Sequence, residues 1–255
     1  MHIAVVLKQV PDLVEELEID SAGTDIDRSF LKMKLNEFDD HALEQAVLLK
    51  ESAGAQVTAL ALDSDGVDQV LHSAVARGAD KAIKVAAGDG PFASRQAAPA
   101  LAAAIRSLNV DLVLTGVQAA DDVFGQTAPF LAAELGWPHV SVVSGVEPAG
   151  SAVRVRQEYS GGRMAVLEVD TPAVVGVQAA PQSPRYVPIS RLRQVMAGGP
   201  PESVTATAGA APAGTMVVAL AKPEQAGGAE MISGSTDQVA ERILALLSER
   251  GLLRG

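Results

Sequence analysis

Thr115 and Gly116, followed by Val117-Gln118-Ala119-Ala120-Asp121-Asp122-Val123-Phe124-Gly125-Gln126-Thr127, carry the residue types and spacing in this chain best suited to gripping a phosphate. Gly125 lets backbone approach a ligand closely, Thr127 puts a hydroxyl in the first turn of a helix, and the helix dipole favours negative charge there. Asp121 and Asp122 would repel a phosphate. They are expected to cap the loop's own N–H groups or to face ribose hydroxyls. By spacing alone, an ordinary strand-to-helix turn with a solvated acidic tip accounts for the same residues.

Other chemistry is scarce. There is no G-x-G-x-x-G, and Gly209 to Thr215 has glycines at P-loop spacing but no Lys before Gly214-Thr215. His2, His41, His72 and His139 are scattered at spacings that suggest neither a metal site nor a catalytic dyad. No Ser lies in a G-x-S-x-G elbow, and no carboxylate pair has a reason to be held together as acid and base. A nucleotide crevice without catalytic groups points to a binding module or to one half of a cofactor site.

The surrounding elements fit an open sheet. Ile3 to Leu7 is a continuous apolar run, as in a strand buried on both faces, and Val10-Pro11-Asp12 turns the chain. Residues 13 to 30 read as a hairpin-like excursion with Ile19-Asp20 and Ile26-Asp27 either side of Gly23-Thr24. Helical spacing from Asp39 to Lys50 closes at Gly54 before a strand, Gln56 to Leu62. A helix over Asp65 to Arg77, a strand over Lys81 to Val85, an Ala-rich helix over Ala93 to Leu108 and a strand over Asp111 to Thr115 follow. This alternation predicts a parallel sheet, with the Gly116 loop in the crevice at its strand ends.

Beyond the loop and its helix the pattern changes. Val140 to Val146, Val153 to Gln157 and Met164 to Val169 predict an antiparallel extension turning at Gly161-Gly162, and Pro172 to Val177 another buried strand. Gly198 to Gly214 reads as an arm or linker, Met216 to Leu220 as a strand, and the segment from about Thr236 as a helix. Its stripe of Val239, Ile243, Leu246 and Leu247 must be buried, either on its own domain or on another subunit.

Composition narrows the class. A 255-residue chain that is 48% apolar and 20% charged can bury a substantial core. A net charge of -11 opposes binding to nucleic acid. Cysteine is absent, so thiolate sites and disulfides are excluded, and any redox chemistry belongs to a cofactor. No segment approaches the ~18 apolar residues of a membrane span, and the N-terminus lacks a basic signal region. A cytoplasmic protein without membrane insertion is expected.

Several segments in order resemble the beta subunits of electron transfer flavoproteins over nearly the whole chain. They are Val6 to Asp12; Leu35-Asn36-Glu37-Phe38-Asp39 with Ala42 to Ala46 and Leu49-Lys50; Ala74 to Asp80; Gly116 to Thr127; Glu158; Pro172-Ala173-Val174; and Pro184-Arg185-Tyr186. The resemblance implies a Rossmann-like α/β domain of the adenine nucleotide alpha hydrolase-like kind over 1–197. It also implies a C-terminal arm, strand and helix over 198–255 that dock on an alpha subunit. AMP, or a second FAD in bifurcating members, would be held by Leu7, Asn36, Leu62 and Gly125-Gln126-Thr127, with Gly116 and Asp121 shaping the loop. A redox-active FAD would be shared with the alpha subunit.

By the same resemblance, Glu158 is placed to form an interchain ion pair. Arg185, Tyr186 and an exposed Ile189 belong to a segment that meets partner dehydrogenases. The chain departs from the family pattern at Glu37, at Leu13, at Val123-Phe124-Gly125 and at the Ser190 to Gly199 continuation. The implied function is electron carriage from dehydrogenases to a quinone reductase or similar acceptor. The rivals are a bifurcating subunit with NADH as donor and a stand-alone nucleotide-binding module.

Overall fold

A computed structural model describes residues 1–14, 16–29, 31–88, 90, 92–122, 125–210, 217–223, 228–229 and 231–253. From the N-terminus come β1 (His2–Val6), β2 (Gln9–Pro11), β3 (Met33–Leu35), α1 (Glu37–Ala53), β4 (Gln56–Leu62), α2 (Val67–Arg77) and β5 (Lys81–Ala86). Then follow α3 (Ser94–Arg106), β6 (Leu112–Gly116), α4 (Thr127–Leu135), β7 (His139–Ala149), β8 (Ala152–Tyr159), β9 (Arg163–Asp170) and β10 (Ala173–Val177). The chain ends with α5 (Ile189–Met196), β11 (Glu202–Thr205) and α6 (Thr236–Glu249).

Among the described residues nine strands form one sheet in the order β11-β5-β4-β1-β6-β10-β7-β8-β9. From β11 to β7 neighbours are parallel, and β8 and β9 extend the sheet antiparallel. Strand alternation divides the core into two layers. Ile3 and Val5 of the first strand, with Leu7 just beyond it, pack under α1 and α2, whereas Ala4 and Val6 face α3 and α4. The α/β expectation with an antiparallel extension is therefore what the chain forms.

Chain order leaves β1 and steps one way to β4 and β5, then the other way to β6 and β10. Open sheets form a crevice at such a switch point, outside the carboxyl ends of the strands. The antiparallel pair β2–β3 closes the base of the 13–30 excursion, where Ile19 and Ile26 form an isolated bridge. The sequence pattern reads Val10-Pro11-Asp12 as a turn, because the three residues of β2 carry too little periodicity to mark a strand.

Two expectations for the C-terminal third are corrected. Within the supposed linker, Glu202 to Thr205 add a parallel edge strand to β5, and Lys81 pairs with Glu202 at 2.6 Å. An edge strand half in water can be as polar as a linker, so composition hides it. Of the expected strand at 216–220, Met216 lies outside the described residues, and Val217 to Leu220 are not in a strand. Leu220 N–H instead donates to Gly23 O at 2.8 Å, and Lys222 reaches Glu16 and Glu18 at 3.3 and 3.0 Å. The segment after Arg185 contains α5, which starts behind Pro188.

Candidate functional site

The crevice at the switch point is a cleft of about 1050 Å³. Leu7 and Leu62 form its apolar floor at the ends of β1 and β4, and Asn36, Gly116, Asp121 and Thr127 line it as well. Gly125 stands behind this wall. Its φ is +56°, and a Cβ there would lie 2.7 Å from Gln118 Cβ, so the loop needs glycine for conformation and space alike. Gln126, immediately before α4, is exposed.

Asp39 organises the cleft. It lies in the first turn of α1 and is 5% exposed. Its Oδ2 accepts Lys8 N–H at 2.8 Å and its Oδ1 accepts Gly116 N–H at 2.7 Å, so one carboxyl joins the ends of the two strands that diverge at the switch point. Burial pushes the Asp39 carboxyl up to about 7, against the lowering effect of those two N–H groups and of Asn36. The sequence did signal this residue. Asp39 falls on the same helical stripe as Ala42, Leu43 and Ala46, and an acid in an apolar stripe needs a reason.

Asn36 precedes α1, and its side chain crosses to the facing loop, donating from Nδ2 to Gln118 O at 2.8 Å. It is 3% exposed. Asn36→Ala is expected to lower stability by about 1–3 kcal/mol, the usual result of leaving a buried polar group without its partner. Urea unfolding of the variant checks it, and a loss under about 0.5 kcal/mol would mean that water replaces the amide.

Polar groups gather at the start of α4. Ser94, the first residue of α3, shares a hydrogen bond with Thr127 at 2.7 Å and donates from Oγ to Asp122 Oδ2. Asp122 Oδ1 accepts Gly125 N–H at 3.2 Å. Asp122 thus caps its own loop, as expected from its type, and Asp121 forms an ion pair with Lys8 Nζ at 2.7 Å. Across the cleft Lys84 Nζ lies 3.0 Å from Asp68 and 3.6 Å from Asp63, and the Asp68 hydrogen bond raises its pKa. Lys8, Ser94 and Lys84 were not identified from sequence, since each meets partners distant in the chain.

The remaining residues singled out from sequence lie elsewhere. Glu158 sits on β8 opposite Met164 of the edge strand β9, where Met164 is 65% and Val166 63% exposed. Tyr186 and Ile189 are 80% and 61% exposed, whereas the Arg185 guanidinium is held by Glu44 and Glu51 of its own chain. The apolar stripe of α6 contains no buried residue. Among the described residues no helix is long and apolar enough to cross a membrane.

Comparison with known proteins bears on this geometry. A family model described as the electron transfer flavoprotein domain matches residues 25–221. The electron transfer flavoprotein subunit beta of Methylophilus methylotrophus is 33% identical over 98% of both chains. The subunit of the same name from Clostridium acetobutylicum is 33% identical, covering 75% of this chain and 74% of its own. The acryloyl-CoA reductase electron transfer subunit gamma of Anaerotignum propionicum is 32% identical, covering 76% and 74%.

Proposed function

Because the chain belongs to the electron transfer flavoprotein family, as a beta subunit, we propose that its cleft holds AMP as a structural ligand. On the same reading it helps an alpha subunit hold FAD, in the cytoplasm, and the pair carries electrons from dehydrogenases to a quinone reductase or similar acceptor. The observation that carries this reading is the cleft at the switch point. It has an apolar floor at Leu7 and Leu62 for a purine, and hydroxyls of Ser94 and Thr127 at the starts of two helices for a phosphate. Gly116 lets β6 pack directly on the first turn of α1, and Gly125 lets the loop close on Gln118, so both glycines set the shape of the wall.

When bound, FAD supplies the electron chemistry, which is the cofactor's own. The chain's residues bind, orient and exclude water. Glu158 and the exposed Met164 and Val166 give the sheet edge a surface suited to the alpha subunit, and α6, whose apolar stripe its own chain leaves unburied, would dock on the alpha subunit too. Tyr186 and Ile189 offer a small apolar patch for transient meeting with a dehydrogenase.

The cleft volume favours one second reading. About 1050 Å³ is at the top of the usual range for cofactor sites, about 300–1,000 Å³, which leaves room for a dinucleotide such as the second FAD of a bifurcating subunit. Mass spectrometry of the nucleotides released on denaturing the copurified heterodimer separates these readings. One AMP and one FAD per heterodimer is the expected result, and two FAD would select the bifurcating reading. A chain that purifies alone and colourless but with bound adenylate would select the stand-alone nucleotide-binding module, and one that also lacks adenylate would overturn all three readings.

A further inference from the structure

The segment 186–196 is little buried: α5 lies against α2, and charge holds the residue just before the segment. Leu192 and Val195 of α5 are half-buried and its other residues are exposed. An isolated helix this short is marginal in water, so its place on the body depends on what anchors its ends. The rear anchor is a hydrogen bond of 3.0 Å from His72 Nε2 on α2 to Gly199 O. The front anchor is Arg185. Its backbone N–H donates to Glu44 Oε2 at 3.0 Å, Nε donates to both Glu44 oxygens at 3.1 and 3.0 Å, and Nη2 to Oε1 at 2.8 Å. Nη1 and Nη2 also reach Glu51 at 2.5 and 3.0 Å.

The two carboxylates are unequal. Glu44 is 3% exposed, so its charge is tolerated only while a cation with fork geometry sits on it, whereas the Glu51 side chain is 54% exposed and screened by water. The contacts also reinforce one another. Arg185 lowers the Glu51 carboxyl, and the pair of acids raises the guanidinium further. Just before the segment, Ala180 N–H donates to His41 Nδ1 at 3.2 Å, on the same helix as Glu44.

We propose that Arg185 and Glu44 are a positioning pair that pins segment 186–196 to α1, so that Tyr186 and Ile189 stand at a fixed place on the surface. Its value for docking rests on the reading of that patch given under Proposed function, but the pair itself is tested without any dehydrogenase. A lysine at 185 keeps the charge and loses the fork, and a glutamine at 44 keeps the shape and loses the charge.

Amide hydrogen exchange across the copurified heterodimer is the experiment. Arg185→Lys and Glu44→Gln are each expected to speed exchange over 186–199 by about tenfold, with the amides of β1, β4 and β6 unchanged, because only a local opening becomes easier. Glu51→Gln is expected to speed it by less than about threefold, as for an exposed ion pair. The double variant Arg185→Lys with Glu44→Gln is expected to resemble the singles, the mark of groups acting as a unit. Nucleotide and flavin content serve as controls and are expected to stay at the wild-type level. Should Glu44→Gln fail to fold, Arg185→Lys still decides. Unchanged exchange over 186–199, or a speed-up shared by the whole sheet, overturns the proposal. A local speed-up combined with undiminished electron uptake in an Ile189→Glu variant keeps the pair and removes only the docking reading.

Discussion

Gly116→Ala is expected to cost about 2–6 kcal/mol and to empty the cleft. The added Cβ would lie 2.5 Å from Asp39 Oδ1, 2.7 Å from Phe38 Cβ and 2.8 Å from Asp39 N. All three atoms belong to the first turn of α1, and Phe38 Cβ and Asp39 N cannot swing away as the end of a flexible side chain would. Either α1 retreats from β6 or the end of the strand does. Overpacking of this kind costs about 1–3 kcal/mol. The retreat also breaks the 2.7 Å bond from Gly116 N–H to Asp39, and a buried carboxyl that loses a donor adds about 1–3 kcal/mol.

In a chain of this length such a loss lowers Tm by roughly 4–24 °C, at about 2–4 °C per kcal/mol. Scanning calorimetry reads the stability, and the nucleotide recovered from the denatured protein reads the cleft. A variant within 1 kcal/mol of wild type that retains its nucleotide would show that the contact at the switch point is slack, contrary to the geometry.

How much of this was open to a reader of the sequence depends on the distance over which each interaction acts. The strand run Ile3 to Leu7 and the stripe Ala42, Leu43, Ala46 are local periodicities, and they fold as their patterns require. Gly116, Asp121 and Thr127 were named from the chemistry of their loop and Leu7, Asn36 and Leu62 from family resemblance, and the fold brings all six to one cleft although 120 positions separate the first from the last. Asp39 was read as the start of a helix and as part of a matching segment, and not as a site residue. Its role depends on Lys8 and Gly116, 31 and 77 positions away, and no local pattern records such a meeting.

The same limit explains Ser94 and Arg185. A Ser starting a helix reads as an ordinary helix start until Asp122 and Thr127 arrive from 28 and 33 positions further on. Arg185 reads as a free cation near a docking patch until Glu44 and Glu51 are seen to hold it. The strand Glu202 to Thr205 illustrates a different loss. Its ladder lies against β5, but its side chains are mostly exposed and polar, so the hydrophobic signal that marks a strand is missing although the hydrogen bonds are made.

Asp39→Asn is expected to remove a pH dependence that the wild-type chain carries. Burial holds the Asp39 carboxyl at about 7 in the folded protein, against 3.8 as the ordinary value when unfolded. The folded state therefore keeps a proton that the unfolded state has already lost. The stabilisation from that proton is fully present below the unfolded value and disappears as pH rises through about 7. At about 1.4 kcal/mol per pKa unit, most of the change between pH 5 and pH 8 amounts to about 2–3 kcal/mol lost from the wild type.

A carboxamide has no proton to lose, so the variant lacks this slope. It also has one acceptor where Asp39 presents two to Lys8 and Gly116, a penalty of about 1–3 kcal/mol that does not vary with pH. The quantity to follow is the difference between the two proteins, because burial also lowers the His139 pKa in both and cancels. Urea unfolding at pH 5, 6, 7 and 8 should show that difference moving by about 2–3 kcal/mol in the variant's favour. Parallel curves would mean that Asp39 is ionised at every pH tested, with the N–H groups of Lys8 and Gly116 outweighing its burial. A rising difference would mean that the chain keeps at its switch point a carboxylate that weakens the fold at neutral pH. Such a group is retained more readily for what the cleft binds than for what it adds to stability.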